Sequence, residues 1–322
     1  MSTINKFNSP IKKIGQQLTR PECVLTNAKG EIYVSDFRGG ITQINPDGSQ
    51  VFYGGEYPGF GLLQTNGFAM LKDGSFLIAH LGADKGGIFR LKRDNSIEAF
   101  LLEIDGEALP PSNFVYLDQQ NRIWITVSTR TQPRAAAYKP TCNDGFIILI
   151  DQHGARIVAD GLGYTNECWV NPEGTELYAN ATFSRELLKF DIAPNGDLCN
   201  QTVVCKFAEG TFPDGLTRDT QGNFWVTSIV SNRVIKVSEN GEQELMLEIS
   251  DDQHVNKAEA AFQNLTMGRP HLDNNPAELK NISSLAFAGA GLNKIILGCL
   301  LDKQIYQLGT EFTGVKPAHW YF

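Results

Sequence analysis

The sequence predicts an all-β chain, a six-bladed β-propeller with four-stranded antiparallel blades, from three observations. The first is a register. Counting back eight residues from Gly30, Gly74, Asn121, Gly174, Gly222 and Gly291 gives Glu22, Asn66, Asn113, Asn166, Asp214 and Ser283, all of them polar. Asn121 stands in for glycine as a residue that tolerates a left-handed turn. The second is a short apolar run after each polar residue, and the third is a β-branched or aromatic run after each turn. Repeats at a fixed period mean stacked units or a ring, and roughly 45-residue repeats of three or four short strands are propeller blades.

The elements follow in order. Unit one runs Cys23-Val24-Leu25, then Glu31-Ile32-Tyr33-Val34-Ser35, then Gly40-Ile41-Thr42-Gln43-Ile44. Unit two runs Phe68-Ala69-Met70, Ser75-Phe76-Leu77-Ile78-Ala79 and Gly87-Ile88-Phe89-Arg90-Leu91. Unit three has Phe114-Val115-Tyr116, Arg122-Ile123-Trp124-Ile125-Thr126 and Ile147-Ile148-Leu149-Ile150. Unit four has Cys168-Trp169-Val170, Glu176-Leu177-Tyr178-Ala179 and Leu187-Leu188-Lys189-Phe190. Unit five is built on Leu216, Asn223-Phe224-Trp225-Val226-Thr227 and Arg233-Val234-Ile235-Lys236-Val237. Unit six is built on Leu285-Ala286-Phe287, Asn293-Lys294-Ile295-Ile296-Leu297 and Gln304-Ile305-Tyr306-Gln307-Leu308. Residues 11–17 precede the first inner strand and are expected to close the ring as the outer strand of the last blade, which removes exposed edges. The expectation is one propeller domain over residues 1–322, with insertions near 128–144 and 251–280. Extra length on a rigid scaffold is where lids and binding loops are found.

Composition excludes several classes. A net charge of −8 without a Lys/Arg run argues against nucleic acid and anionic membranes. No apolar stretch approaches a membrane span. Residues 1–20 are polar and lack the apolar core of a signal peptide, so a cytoplasmic location is expected. The six cysteines show no C-x-x-C spacing and read as reduced, mostly buried thiols.

A ring of blades brings the six polar positions to one mouth of a central channel. Glu22 and Asp214 would supply two negative charges there, and Asn113 and Asn166 neutral carbonyl oxygens. Such a set suits one divalent cation, Ca2+ first, with Mg2+, Mn2+ or Zn2+ as alternatives. Buried carboxylates held close together would be costly without a cation. A cation there polarises a carbonyl oxygen, so hydrolysis of a small lactone or ester becomes feasible. Asp214 is then the natural general base. Asn66 and Ser283 complete the ring and are candidate substrate contacts. His80, at the end of a strand before Leu81-Gly82, is a candidate proton shuttle or substrate donor. Arg130 and Arg134, in the first insertion, are candidates to grip a carboxylate.

The chain resembles the senescence-marker-protein/gluconolactonase/regucalcin family of six-bladed, metal-dependent lactonases and esterases. The carriers are Arg20-Pro21-Glu22-Cys23-Val24, Pro111-Ser112-Asn113, Tyr164-Thr165-Asn166-Glu167 and, most specifically, Phe212-Pro213-Asp214-Gly215-Leu216. The resemblance implies metal ligands at Glu22, Asn166 and Asp214, with Asn113 as a fourth ligand or a substrate contact. Pro111 stands where family sugar lactonases often carry an arginine, and Glu167 replaces the usual glycine after the ligand asparagine. These departures point away from the common sugar lactones. Glu167 is a further candidate substrate contact and an alternative base. The rival functions are a phosphotriester hydrolase on the same ring and a non-catalytic, calcium-binding propeller. Oligomeric state is not legible.

Overall fold

In the computed structural model of the chain, which describes residues 2–322, six antiparallel sheets of four or five strands follow one another along the sequence, with two short two-stranded ribbons between them. From the inside outward, blade 1 is Val24–Thr26, Ile32–Asp36, Gly40–Ile44 and Gln50–Gly54. Blade 2 is Thr65–Met70, Phe76–His80, Ile88–Leu91 and Ile97–Leu101. Blade 3 is Phe114–Leu117, Ile123–Val127, Gly145–Asp151 and Gly154–Leu162. Blade 4 is Thr165–Val170, Glu176–Ala181, Glu186–Ile192 and Leu198–Lys206. Blade 5 is Phe212–Arg218, Phe224–Ile229, Arg233–Val237 and Gln243–Ser250. Blade 6 takes Ile282–Ala288, Lys294–Cys299 and Ile305–Gly309 from the C-terminal end and Lys12–Ile14 from the N-terminal end. The closure expected for residues 11–17 is therefore present, with Lys13 paired to Tyr306. The sequence pattern did not disclose a further strand, Ser2–Asn5, which lies along Gln243–Ser250 as a fifth strand of blade 5.

Burial explains the patterning. The second strands are packed on both faces and read as continuous apolar runs, as in buried Phe76–His80 and Phe224–Ile229. The outermost strands are the most exposed to water, as in Gln50–Gly54, where Val51 and Phe52 face solvent. Five of the six expected left-handed turn residues are left-handed, Asn121 among them at φ 60°. Gly291 is the correction. The last blade's turn is tightened by Gly289 (φ 79°) and Leu292 (φ 48°), joined by a Leu292 N–H to Gly289 carbonyl bond of 2.8 Å. Blades 3 and 5 share a further device. Asp118 and Asp219 each accept the indole N–H of a second-strand tryptophan, Trp124 and Trp225, at 2.9 Å, while also capping their own turns.

Both insertions lie over one mouth of the ring. The first carries a single 3-10 turn at Arg134–Ala137, and the second carries helices α1 (Asp252–Gln263) and α2 (Arg269–Asp273). Ala137, Tyr138, Phe262, Met267 and Leu272 from the insertions share one apolar cluster with Phe183, Phe212 and Ile229 of blades 4 and 5. Glu259 of α1 pairs with Arg185 and accepts the Gly210 N–H at 2.8 Å, and the Arg185 guanidinium lies over Phe212 and Phe262. All six cysteines are free, and only Cys199 is exposed. Among the described residues no helix is long and apolar enough to cross a membrane.

Candidate active site

The ring residues are aimed by a repeated irregularity. In blades 2, 4, 5 and 6 the inner strand carries one more residue than its partner at its start: Thr65 pairs with His80 and Phe68 with Ile78, Thr165 with Ala181 and Cys168 with Ala179. Likewise Pro213 pairs with Ser228 and Leu216 with Val226, and Ile282 with Cys299 and Leu285 with Leu297. Such a bulge bends the strand and re-aims a side chain. The residues inside it are Asn66, Asn166, Asp214 and Ser283, each with its successor. Three ring residues also follow a left-handed residue by two positions: Arg20 (φ 49°) before Glu22, Tyr164 (φ 68°) before Asn166 and Asn281 (φ 57°) before Ser283. A non-glycine residue held there stores about 1 kcal/mol or more, and such strain gathers at functional sites. Glu22 needs one more concession. A Cβ on Gly298 would fall 2.0 Å from the Glu22 carbonyl oxygen, so only glycine lets blade 6 approach it.

The six positions converge. Asn66 Nδ2 donates to Glu22 Oε1 at 2.7 Å and to Asn113 Oδ1 at 3.2 Å, Asn113 Nδ2 donates to Asn166 Oδ1 at 2.7 Å, and Asn166 Nδ2 donates to Thr182 Oγ1 at 3.1 Å. Ser283 meets the ring through the backbone, its hydroxyl donating to the Glu22 carbonyl at 2.9 Å. Asp214 is buried beside them, and its carboxyl is held well above the usual carboxylate range by burial first and then by the charges of Glu22 and Glu167. The sequence reading missed Arg20 as a site residue. Its Nη2 lies 2.5 Å from Glu22 Oε2 and donates to Asn66 Oδ1 at 3.2 Å. The ion pair lacks hydrogen-bond geometry, so Glu22 Oε2 remains buried without a hydrogen-bond partner.

Above the ring lies a small, partly open cavity. Glu22, Asn113, Asn166 and Asp214 form its floor, and Arg134, Tyr138, Arg269, Leu272 and Leu300 contribute walls. Both insertions thus line the cavity. The opposite end of the channel is lined by Cys23, Tyr116, Glu167 and Trp169 and meets the C-terminal tail at Val315, Pro317 and His319.

Five of the expected substrate contacts have other settings. Glu167 faces the tail end of the channel and accepts the Leu216 N–H at 2.9 Å, because the bulge points Asn166 and Glu167 to opposite ends. His80 lines a separate hollow with Phe60, Gln64 and Lys85. Burial pushes its imidazole down to about 4, so it is neutral near pH 7. Arg130 does grip a carboxylate, but it is the protein's own: both terminal nitrogens meet Asp160, at 2.7 and 2.9 Å. Ser283 and Asn66 turn to ring atoms rather than into the cavity. Asn66 orients Glu22.

Burial also pushes the Glu167 carboxyl up, to about 8. Between the ordinary value of 4.5 and about 8 the folded chain binds this proton more tightly than the unfolded chain. Its stabilising contribution is therefore complete below that window and is lost as pH rises through it. Glu167→Gln should flatten the fall of Tm with pH over this range. A variant whose Tm falls as steeply as wild type would contradict the burial argument.

Comparison with known proteins agrees with this architecture. The chain belongs to the family described as the SMP-30/Gluconolactonase/LRE-like region, which matches residues 20–255. A 6-deoxy-6-sulfogluconolactonase from Pseudomonas putida is 24% identical over 179 residues. That match covers 54% of this chain and 57% of the relative, so the chain spans little more than half the length of the curated relative it matches. Among solved structures, the calcium-binding protein regucalcin of Agrobacterium tumefaciens superposes with a TM-score of 0.69 at 15% identity, covering 100% of both chains. A gluconolactonase of Xanthomonas campestris superposes with a TM-score of 0.68 at 15% identity, covering 96% of this chain and 97% of that one. At such identities the likeness shows the fold alone.

Proposed function

We propose that this chain hydrolyses a small lactone or ester at the ring mouth, with one divalent cation held by Glu22, Asn166 and Asp214 and with Asn113 in reach. The observation that carries the reading is the convergence of two buried carboxylates and two amides on the floor of one cavity. The donor set suits a hard cation, as all its donors are oxygens. Two features favour the fit: Glu22 Oε2 is buried without a hydrogen bond, and Asp214 is driven toward its protonated form by burial first and then by the charge of Glu22. Arg20 is the competing cation, since its guanidinium already lies against Glu22. Among the described residues no three His, Cys, Asp or Glu side chains are grouped around one point, so the amides are needed to complete the set.

A divalent cation held by Glu22, Asn166 and Asp214 would supply polarisation of the substrate carbonyl, and its charge would favour the ionised form of Asp214. The rest falls to the chain. Tyr138, Tyr164, Phe183 and Leu272 surround the substrate ring and thin the water around it. Asn113 and Asn166 orient the acyl group. Asp214 takes a proton from the attacking water, a role worth roughly 10²–10⁴-fold. The proton then returns to the ring oxygen as the acyl–oxygen bond breaks, leaving a hydroxy acid. Acid release from gluconolactone and from a panel of lactones and simple esters tests this reading. Turnover above the buffer rate supports it; no turnover of any member with any divalent cation sinks it.

A further inference from the structure

We infer that the substrate of this site carries an oxyanion group, a carboxylate, sulfonate or phosphate, and that Arg134 binds it. The inference rests on the lactone-hydrolase reading and names its substrate class. Three arginines line the cavity, Arg20, Arg134 and Arg269. Arg20 has Glu22 and Arg269 has Asp273 as carboxylate partners. Outside the cavity, the nearby Arg130 and Arg185 are paired with Asp160 and Glu259. Arg134 differs. Its Nη2 donates only to neutral oxygens, Ser128 Oγ at 3.1 Å and Asn113 Oδ1 at 3.4 Å, so no carboxylate meets it; its Nε, like those of Arg20 and Arg185, is buried without a partner. Its guanidinium also lies 5.5 Å from the centre of the Tyr164 ring.

A half-buried guanidinium beside Tyr164, with a buried and unpartnered Nε, is better matched by an anion than by neutral oxygens alone. The fork of donors matches the two oxygens of a carboxylate or the face of a sulfonate or phosphate, and the sheltered cavity strengthens that contact. The place of Arg134 limits the size of the ligand. It touches Asn113, which donates to Asn166 beside Asp214, so the anion and the scissile carbonyl belong to one small molecule. Arg134 comes from the inserted segment, so the insertion sets specificity while the blades supply the chemistry.

The test compares gluconolactone with glucarolactone, which adds a carboxylate to the same carbon chain, on the full-length protein and on Arg134→Gln and Arg134→Lys. Wild type should favour glucarolactone in kcat/KM. Arg134→Gln should lower the glucarolactone-to-gluconolactone ratio by roughly thirty-fold, mainly through KM, the scale for losing one charged hydrogen-bonded partner. Arg134→Lys should recover part of the ratio, since the charge remains but the fork is lost. Equal losses on both lactones would overturn the inference and leave Arg134 as a positioning residue for Asn113. If wild type hydrolyses neither lactone nor any member of the lactone and ester panel, the hydrolase reading fails; whenever these two lactones are not turned over, calorimetric binding of glucarate and gluconate decides the anion site. Tighter binding of glucarate that disappears in Arg134→Gln sustains the site; equal binding of the two acids overturns it.

Discussion

Asp214→Asn is expected to lower kcat for lactone hydrolysis by roughly 10²–10⁴-fold, even with divalent cation in excess. The substitution keeps an oxygen on the cavity floor but removes both a charge and the proton acceptor. Glu22→Gln should behave differently. Glu22 is clamped by Asn66 and Arg20 and serves as an anchor, so its loss should appear as weaker cation binding that excess cation largely restores. Rate against cation concentration for both variants separates the roles. If excess cation restores Asp214→Asn fully, Asp214 is only a ligand. The raised carboxyl of Asp214 adds a pH signature to cation binding: without a cation Asp214 stays protonated at pH values where an ordinary aspartate is ionised, so cation affinity should rise as pH rises.

Deleting residues 2–17 is expected to destabilise the whole propeller rather than one edge. The deletion removes the outer strand of blade 6 and the fifth strand of blade 5. It also removes Phe7, which is buried with its ring 6.0 Å from that of Trp225. Burial of that one ring is worth about 1.5–3 kcal/mol. The strand Ile305–Gly309 would become an open edge, and open edges pair with other chains. The truncated chain should melt at a lower temperature and aggregate on heating. An unchanged Tm would show that the ring does not depend on this closure.

Much of the fold was legible because local chemistry repeats. The polar residue eight positions before each turn marks an inner-strand start, and all six such residues meet at the ring or against its backbone. Gly291 shows the limit of that register, since neighbouring Gly289 and Leu292 took the left-handed conformation instead. The bulges were not legible, because an extra residue is defined only against the partner strand. That is why Asn166 and Glu167, adjacent in sequence, point to opposite ends of the channel. Arg20 escaped notice for a related reason. Its role depends on a backbone turn that brings the guanidinium back onto Glu22. The insertions read as either ornament or lid, and tertiary contacts decide: Arg185 pairs with Glu259 across 74 residues, and Arg269 and Leu272 reach the cavity.

The central claim is that Glu22, Asn166 and Asp214 hold one divalent cation and that lactone hydrolysis at this ring depends on it. The most direct measurement is hydrolysis of the lactone or ester that wild type turns over fastest, by chelator-stripped protein as cation is returned stepwise, with bound metal counted in the same samples. The account predicts negligible turnover in the stripped protein and a rate that climbs with occupancy to saturate at one cation per chain. A stripped protein that hydrolyses that substrate at the full rate would contradict it.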